Sequence, residues 1–158
     1  MREAADLRML QTLIKKKGYV ELPSSGNSMY PIISQGNICR IIAVEPNEIS
    51  RGDIVLFVSS FQALIGHRLL QVVQRGEEML YIFKGDANPH SDEPVKFDRI
   101  VGKLIEVRKS HIRFHSKHWV FLLWKKMILA APSISILFRA FLKIKRALKG
   151  SAQKVHGV

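Results

Sequence analysis

Four short stretches of the chain carry side chains able to do chemistry. The first is Gly26-Asn27-Ser28-Met29-Tyr30-Pro31, with Gly36 close behind, and the second is Arg51-Gly52-Asp53-Ile54-Val55. Gly66-His67-Arg68 follows inside an apolar run, and Lys84-Gly85-Asp86-Ala87-Asn88 precedes Asp92 by a few residues. A serine hydroxyl is a poor nucleophile until a neighbouring base takes its proton. An imidazole does this near neutral pH, and a carboxylate on its other ring nitrogen fixes the tautomer and stabilises the imidazolium. All three residue types are present, yet each is weak alone. Ser28 by itself reads as a turn serine beside Gly and Asn, His67 as a half-buried strand histidine, and Asp92 as a solvated acid near Glu93. Asp53 reads as a structural residue at a strand turn. His111, His115 and His118 have spacings that suit a metal on a helix, but Ile112 and Phe114 alternate as in a strand and no carboxylate or cysteine joins them. No metal and no cofactor is expected.

Taken together the four stretches are specific. Ser-Met-x-Pro, then Gly-Asp, then a basic residue plus Arg on a strand, then Lys-Gly-Asp-x-Asn, is the order found in signal peptidase I. The chain resembles that family, and its relatives the LexA-type self-cleaving repressors, over residues 19–107. The resemblance implies a mostly-β catalytic domain in which Ser28 is the nucleophile. The residue before Arg68 is His67, as in the Ser-His-Asp branch (endoplasmic reticulum, archaeal and some Gram-positive signal peptidases) rather than the Ser-Lys branch. His67 is then the base and Asp92 the acid that orients it, with Asp86 as the rival for that place. Asp86 otherwise matches the position that holds the fold by pairing with Arg68. One departure concerns the oxyanion. Most signal peptidases carry Ser or Thr two residues before the nucleophile, where this chain has Gly26, as LexA-type proteins do. The Ser28 N–H, with another amide or the Asn27 side chain, is the expected oxyanion hole. A missing donor costs about 10²–10³ in rate. Met29 is expected to pack under Ser28 or line the substrate groove. The implied substrate is a peptide or protein precursor, extended, with small residues before the cut and docked as an added strand.

These residues need a scaffold. Residues 2–17 carry Ala4, Leu7, Leu10, Leu13 and Ile14 at near-helical spacing before Gly18, which predicts a short amphipathic helix over residues 1–18. From residue 19 to 117 short β-branched and apolar runs alternate with turn residues: Tyr19–Leu22, Ile38–Val44, Asp53–Val58, Leu64–Val73, Met79–Lys84, Ile100–Arg108 and Ile112–His115. Many short strands punctuated in this way predict a compact mostly-β domain. From Trp119 the spacing is helical again. Ser133 is a candidate cap for a helix with Ile134, Leu137, Phe138, Phe141 and Leu148 on one face and Arg139, Lys143 and Arg146 on the other. Residues 151–158 read as a disordered tail. The one cysteine, Cys39, lies in an apolar run and reads as a buried, inert thiol.

The net charge of +12 is unevenly placed. Residues 1–100 hold twelve Lys/Arg and twelve Asp/Glu, whereas residues 101–158 hold thirteen Lys/Arg and the single acid Glu106. The basic excess therefore belongs to the last third, which is built to meet something anionic. Trp119, Phe121, Leu122, Leu123 and Trp124 precede lysines there, and Phe138, Phe141 and Leu142 interleave with later charges. Bulky apolar residues beside Lys and Arg suit a helix lying in a membrane interface, and each basic residue adds about 1 kcal/mol near an anionic leaflet. A nucleic-acid face would carry fewer aliphatics. The expected partner of residues 119–149, within a segment spanning 118–150, is thus an anionic membrane surface. The longest uncharged stretch, Met127 to Phe138, is short of the ~20 residues a spanning helix needs. The reading is a peripheral peptidase at a membrane, on the cytoplasmic face by default because no apolar leader opens the sequence. The competing reading is a non-catalytic or self-cleaving LexA-like module whose basic tail contacts nucleic acid or lipid. Against self-cleavage, the 27 residues before Ser28 are too few for a helix-turn-helix domain.

Overall fold

The computed structural model describes the backbone of residues 2–131 and 134–155, and side chains for residues 7–131 and 134–144. The candidate cap Ser133 and the last three residues, 156–158, lie outside the described residues, as do the side chains of Arg146 and Leu148. Helix α1 (Arg2–Lys17) leads into eight strands: β1 (Val20–Pro23), β2 (Ile38–Ile42), β3 (Ile54–Val58), β4 (Leu64–Arg75), β5 (Glu78–Lys84), β6 (Val95–Lys96), β7 (Ile100–Lys109) and β8 (Ile112–His115). Two helices follow, α2 (Trp119–Ala130) and α3 (Ile134–Val155). The mostly-β class, the short leading helix and the helices after the sheet are as the sequence predicts. The addition is β6, whose two residues are too short to leave a periodic signal.

All strand pairs are antiparallel, in the order β1-β2-β7-β3-β4-β5-β6, with β8 also pairing β7. The sheet curls, and each face buries its own cluster. In β3 the pleat sends Ile54, Leu56 and Val58 to one cluster and Val55 and Phe57 to the other. The first cluster takes in Ile14 of α1, Met29 and Ile33 of the β1–β2 connection, and Phe121, Trp124 and Ile128 of α2. The second is built on Phe57, Leu69, Tyr81 and Phe83, with the Phe57 and Phe83 rings stacked at 4.5 Å.

Helix α2, expected from the sequence to lie in a membrane interface, packs one face against the core. Phe121, Trp124 and Ile128 recur at helical spacing and form its buried face. Trp119, Leu122, Leu123 and Met127 remain exposed. α3 divides similarly: Ser135 is fully buried and Phe138 half-buried, whereas Ile136, Leu137, Phe141 and Ile144 are exposed. The two helices meet at a bend of 109°. Among the described residues no single helix is long and apolar enough to cross a membrane.

Candidate active site

Successive residues of a strand point to opposite faces, so the neighbours His67 and Arg68 on β4 meet different partners. Both are buried. His67 Nδ1 lies 2.6 Å from Asp92 Oδ2 and its Nε2 lies 2.9 Å from Ser28 Oγ. A carboxylate only accepts, so Asp92 assigns the ring proton to Nδ1 and leaves Nε2 to accept from the Ser28 hydroxyl. The Phe57 ring stands edge-on to the imidazole at 6.4 Å and closes one side of it. Asp92 is itself placed by its backbone, whose N–H donates to the Phe83 carbonyl at 2.8 Å.

Ser28 is carried by the connection between β1 and β2. The turn is closed by Tyr30 N–H donating to the Asn27 carbonyl at 3.1 Å and Ile33 N–H to the Met29 carbonyl at 2.9 Å. The Asn27 side-chain oxygen accepts from Gln35 N–H at 3.0 Å. Met29 points into the core beneath the serine and also borders the apolar cavity beside it. The turn after β5 packs on the other side, where Ala87 N–H donates to the Ser28 carbonyl at 2.8 Å. That approach needs Gly85, because a Cβ there would lie 2.9 Å from the Ser28 carbonyl oxygen. Gly26 differs: a Cβ at this position would meet nothing within 4 Å. The space for a side chain is present and the hydroxyl is not.

Asp86, the rival acid, is turned away from the imidazole. Arg68 grips it in bidentate fashion, Nε to Oδ1 at 2.7 Å and Nη2 to Oδ2 at 2.6 Å, while Nη1 donates to the Gly52 carbonyl at 2.8 Å. Trp124 Nε1 donates to the same Oδ2 at 2.7 Å. Lys84, next in the cluster, donates to Ser135 Oγ of α3 at 3.1 Å. Burial pushes the Lys84 ammonium below its ordinary range, and the charge of Asp86 opposes that. Asp53 lies 3.3 Å from both Lys103 and Lys125 and accepts from Ser50 N–H, a surface ion cluster beside the buried one. Gly52 allows it. Its φ of +88° is a glycine conformation, and a Cβ would run into the Lys125 stem at 2.2 Å.

Trp124, Ser135 and Lys125 lie outside the four motifs that mark the site in the sequence. Trp124 reads there as an interfacial aromatic; the signal that identifies it is the buried spacing it shares with Phe121 and Ile128. Ser135 leaves no such signal.

Two cavities meet at Ser28, and Gly26, Ser28 and Asn88 line both. The first, of about 470 Å³, runs between the end of β1 and the start of β4; Leu22, Met29, Ile33, Leu56 and Ile65 make it apolar. Cys39 is on its wall, and burial pushes the thiol up to about 11. Because the thiolate is the reactive form, roughly a hundredfold less is present at neutral pH than for an ordinary thiol. Iodoacetamide is expected to alkylate Cys39 of the native protein correspondingly slowly at pH 8, with the rate rising up to strongly alkaline pH and the unfolded protein reacting at the ordinary rate. Equal native and unfolded rates, followed by mass spectrometry, would show a thiol that burial does not protect.

Fold and site together describe a mostly-β domain with a curled antiparallel sheet, consistent with a signal-peptidase-like fold, on which a serine, a histidine and an aspartate stand in hydrogen-bonding line. The chain is similar to signal peptidase I W of Bacillus subtilis (strain 168), with 27% identity over 86 residues. The match covers 50% of this chain and 45% of that relative's length. No protein-family model matches the chain.

Proposed function

We propose that the protein is a signal-peptidase-like serine endopeptidase acting on a peptide or protein precursor at a membrane surface. The observation that carries this reading is the line Ser28 Oγ–His67 Nε2 and His67 Nδ1–Asp92, at 2.9 and 2.6 Å. Ser28 attacks the peptide carbonyl as His67 takes its proton. Asp92 holds the imidazole and offsets its charge, and His67 then returns the proton to the leaving amine. The oxyanion is received by the Ser28 N–H with a second donor from the Asn27 or Asn88 side of the junction, without a hydroxyl at position 26. The residues before the cut lie in the apolar cavity as an added strand beside β1, an edge strand of the sheet. The limited similarity to signal peptidase I W supports a signal-peptidase-like function.

The test is to incubate wild type and Ser28→Ala with membrane extracts and identify new peptide termini by mass spectrometry. Termini found with the wild type alone support the reading; the same termini with both proteins sink it.

Membrane contact is assigned to the apolar residues that α2 and α3 leave exposed, flanked by basic residues. Replacing Leu122, Leu123, Leu137 and Ile144 together by Ser is expected to lower the partition onto anionic vesicles by more than about tenfold. Flotation with phosphatidylserine-containing vesicles measures it. A variant that floats like the wild type would place the contact elsewhere. Deleting the helices outright is a poorer test, because Trp124 and Ser135 support the buried cluster behind the site.

A further inference from the structure

The second cavity at Ser28, about 570 Å³, differs in character from the first. Asn27, Asn88, His90, Arg139 and Lys143 line it together with Ser28. Its ionisable lining residues are all basic, and no carboxylate borders it. Arg139 and Lys143 make no ion pair among the described residues. Nor can α3 supply a counter-charge, since the sequence has no Asp or Glu after Glu106. α3 is held in place here by Ser135 on Lys84 and by Phe138 and Phe141 on Tyr30, the second residue after Ser28. Two uncompensated cations are thus fixed on the wall of a cavity that opens on the candidate nucleophile.

An extended peptide advances about 3.3 Å per residue, so a chain crossing Ser28 passes from one cavity into the other within a residue or two. The residues before the cut occupy the apolar cavity beside β1, which sends the leaving part into the basic one. We propose that Arg139 and Lys143 form a subsite for an acidic side chain in the first three residues after the cleaved bond. This subsite rests on the peptidase reading and adds a substrate preference to it. Both side chains are largely exposed, so each pairing contributes in the range of surface ion pairs. Two such pairings amount to about 2–30-fold in kcat/KM, sensitive to salt.

The test uses the full-length protein in neutral detergent with a chymotryptic peptide library from a whole proteome, reading both sides of each cut by mass spectrometry. Wild type, the Arg139→Glu/Lys143→Glu variant and Ser28→Ala are compared. Wild type is expected to enrich Asp and Glu at the first three positions after the cut, and the charge-reversed variant to enrich Lys and Arg there. Paired synthetic peptides differing only by Asp or Lys at the favoured position should then differ by about 2–30-fold for wild type, with the difference shrinking in 0.5 M NaCl. The Arg139→Gln/Lys143→Gln variant should show neither preference. Cuts without an acidic preference, a preference lying before the cut, or one unmoved by charge reversal would each overturn the subsite and leave the peptidase reading standing. A charge reversal that changes vesicle binding but not peptide choice would assign the two cations to lipid and overturn it too. A library that the wild type cuts no differently from Ser28→Ala removes the peptidase reading, and the subsite with it.

Discussion

Ser28→Ala is expected to reduce peptide cleavage by at least about 10⁴-fold, with the fold intact. Ser28 Oγ has one hydrogen-bond partner in the site, His67 Nε2, and the serine backbone rather than its hydroxyl holds the turn against Ala87. Removing the oxygen therefore deletes the proposed nucleophile and leaves the scaffold, so the unfolding free energy should change by no more than about 0.5 kcal/mol. His67→Ala should cost a similar factor. The double variant should be little worse than either single one, because residues acting as one unit do not add. Asp92→Asn keeps the shape but allows the wrong tautomer, and a loss of about 10²–10⁴ is expected. Rates on one synthetic substrate, with active enzyme counted independently, check the series. If Ser28→Ala keeps more than a few per cent of the wild-type rate, another group is the nucleophile.

Asp86→Ala is expected to have the largest effect on stability, a loss of about 3–5 kcal/mol. The buried Arg68 guanidinium would lose both carboxylate bonds and keep the Gly52 carbonyl, and the Trp124 indole N–H would lose its acceptor. The cost comes from stranding a buried charge more than from the worth of the pair itself. Domains of this size hold about 5–15 kcal/mol in all, so the variant should lie close to unfolding. Trp124→Phe removes one bond to a charged group and should cost about 1.5–3 kcal/mol. Urea midpoints at constant slope measure both. An Asp86→Ala variant within 1 kcal/mol of wild type would mean that water reaches the guanidinium and the cluster is not closed.

Strand positions were legible because each run is bounded by turn residues and alternates or is continuously apolar. Leu64–Arg75 and Ile100–Lys109 fall within a residue or two of the expected spans. β6 escaped because two residues carry no period. The proximity of Ser28, His67 and Asp92 is another matter. Nothing in composition or spacing brings residues 28, 67 and 92 together; the ordered motifs and the family they resemble suggested it. Strand alternation sets Arg68, and not His67, against Asp86, and leaves His67 beside Asp92. The C-terminal third was the least legible part. Its apolar residues suit one interfacial set by composition, but a helix that packs on a core and also exposes apolar residues shows the same composition. Only the spacing of Phe121, Trp124 and Ile128 separates the inward set from the outward one. The cavity wall made by Arg139 and Lys143 had no sequence signal, since it depends on where α3 docks.

The bond from Trp124 to Asp86 also has a bearing on the order in which the molecule matures. A ribosome delivers the chain from its N-terminus, so Ser28, His67 and Asp92 all emerge before the indole that caps the acid behind them. Asp86 must wait for 38 further residues, and Lys84 for 51, before those partners exist. A half-made chain therefore holds its candidate catalytic groups in front of a support that lacks the partners supplied by the two last helices.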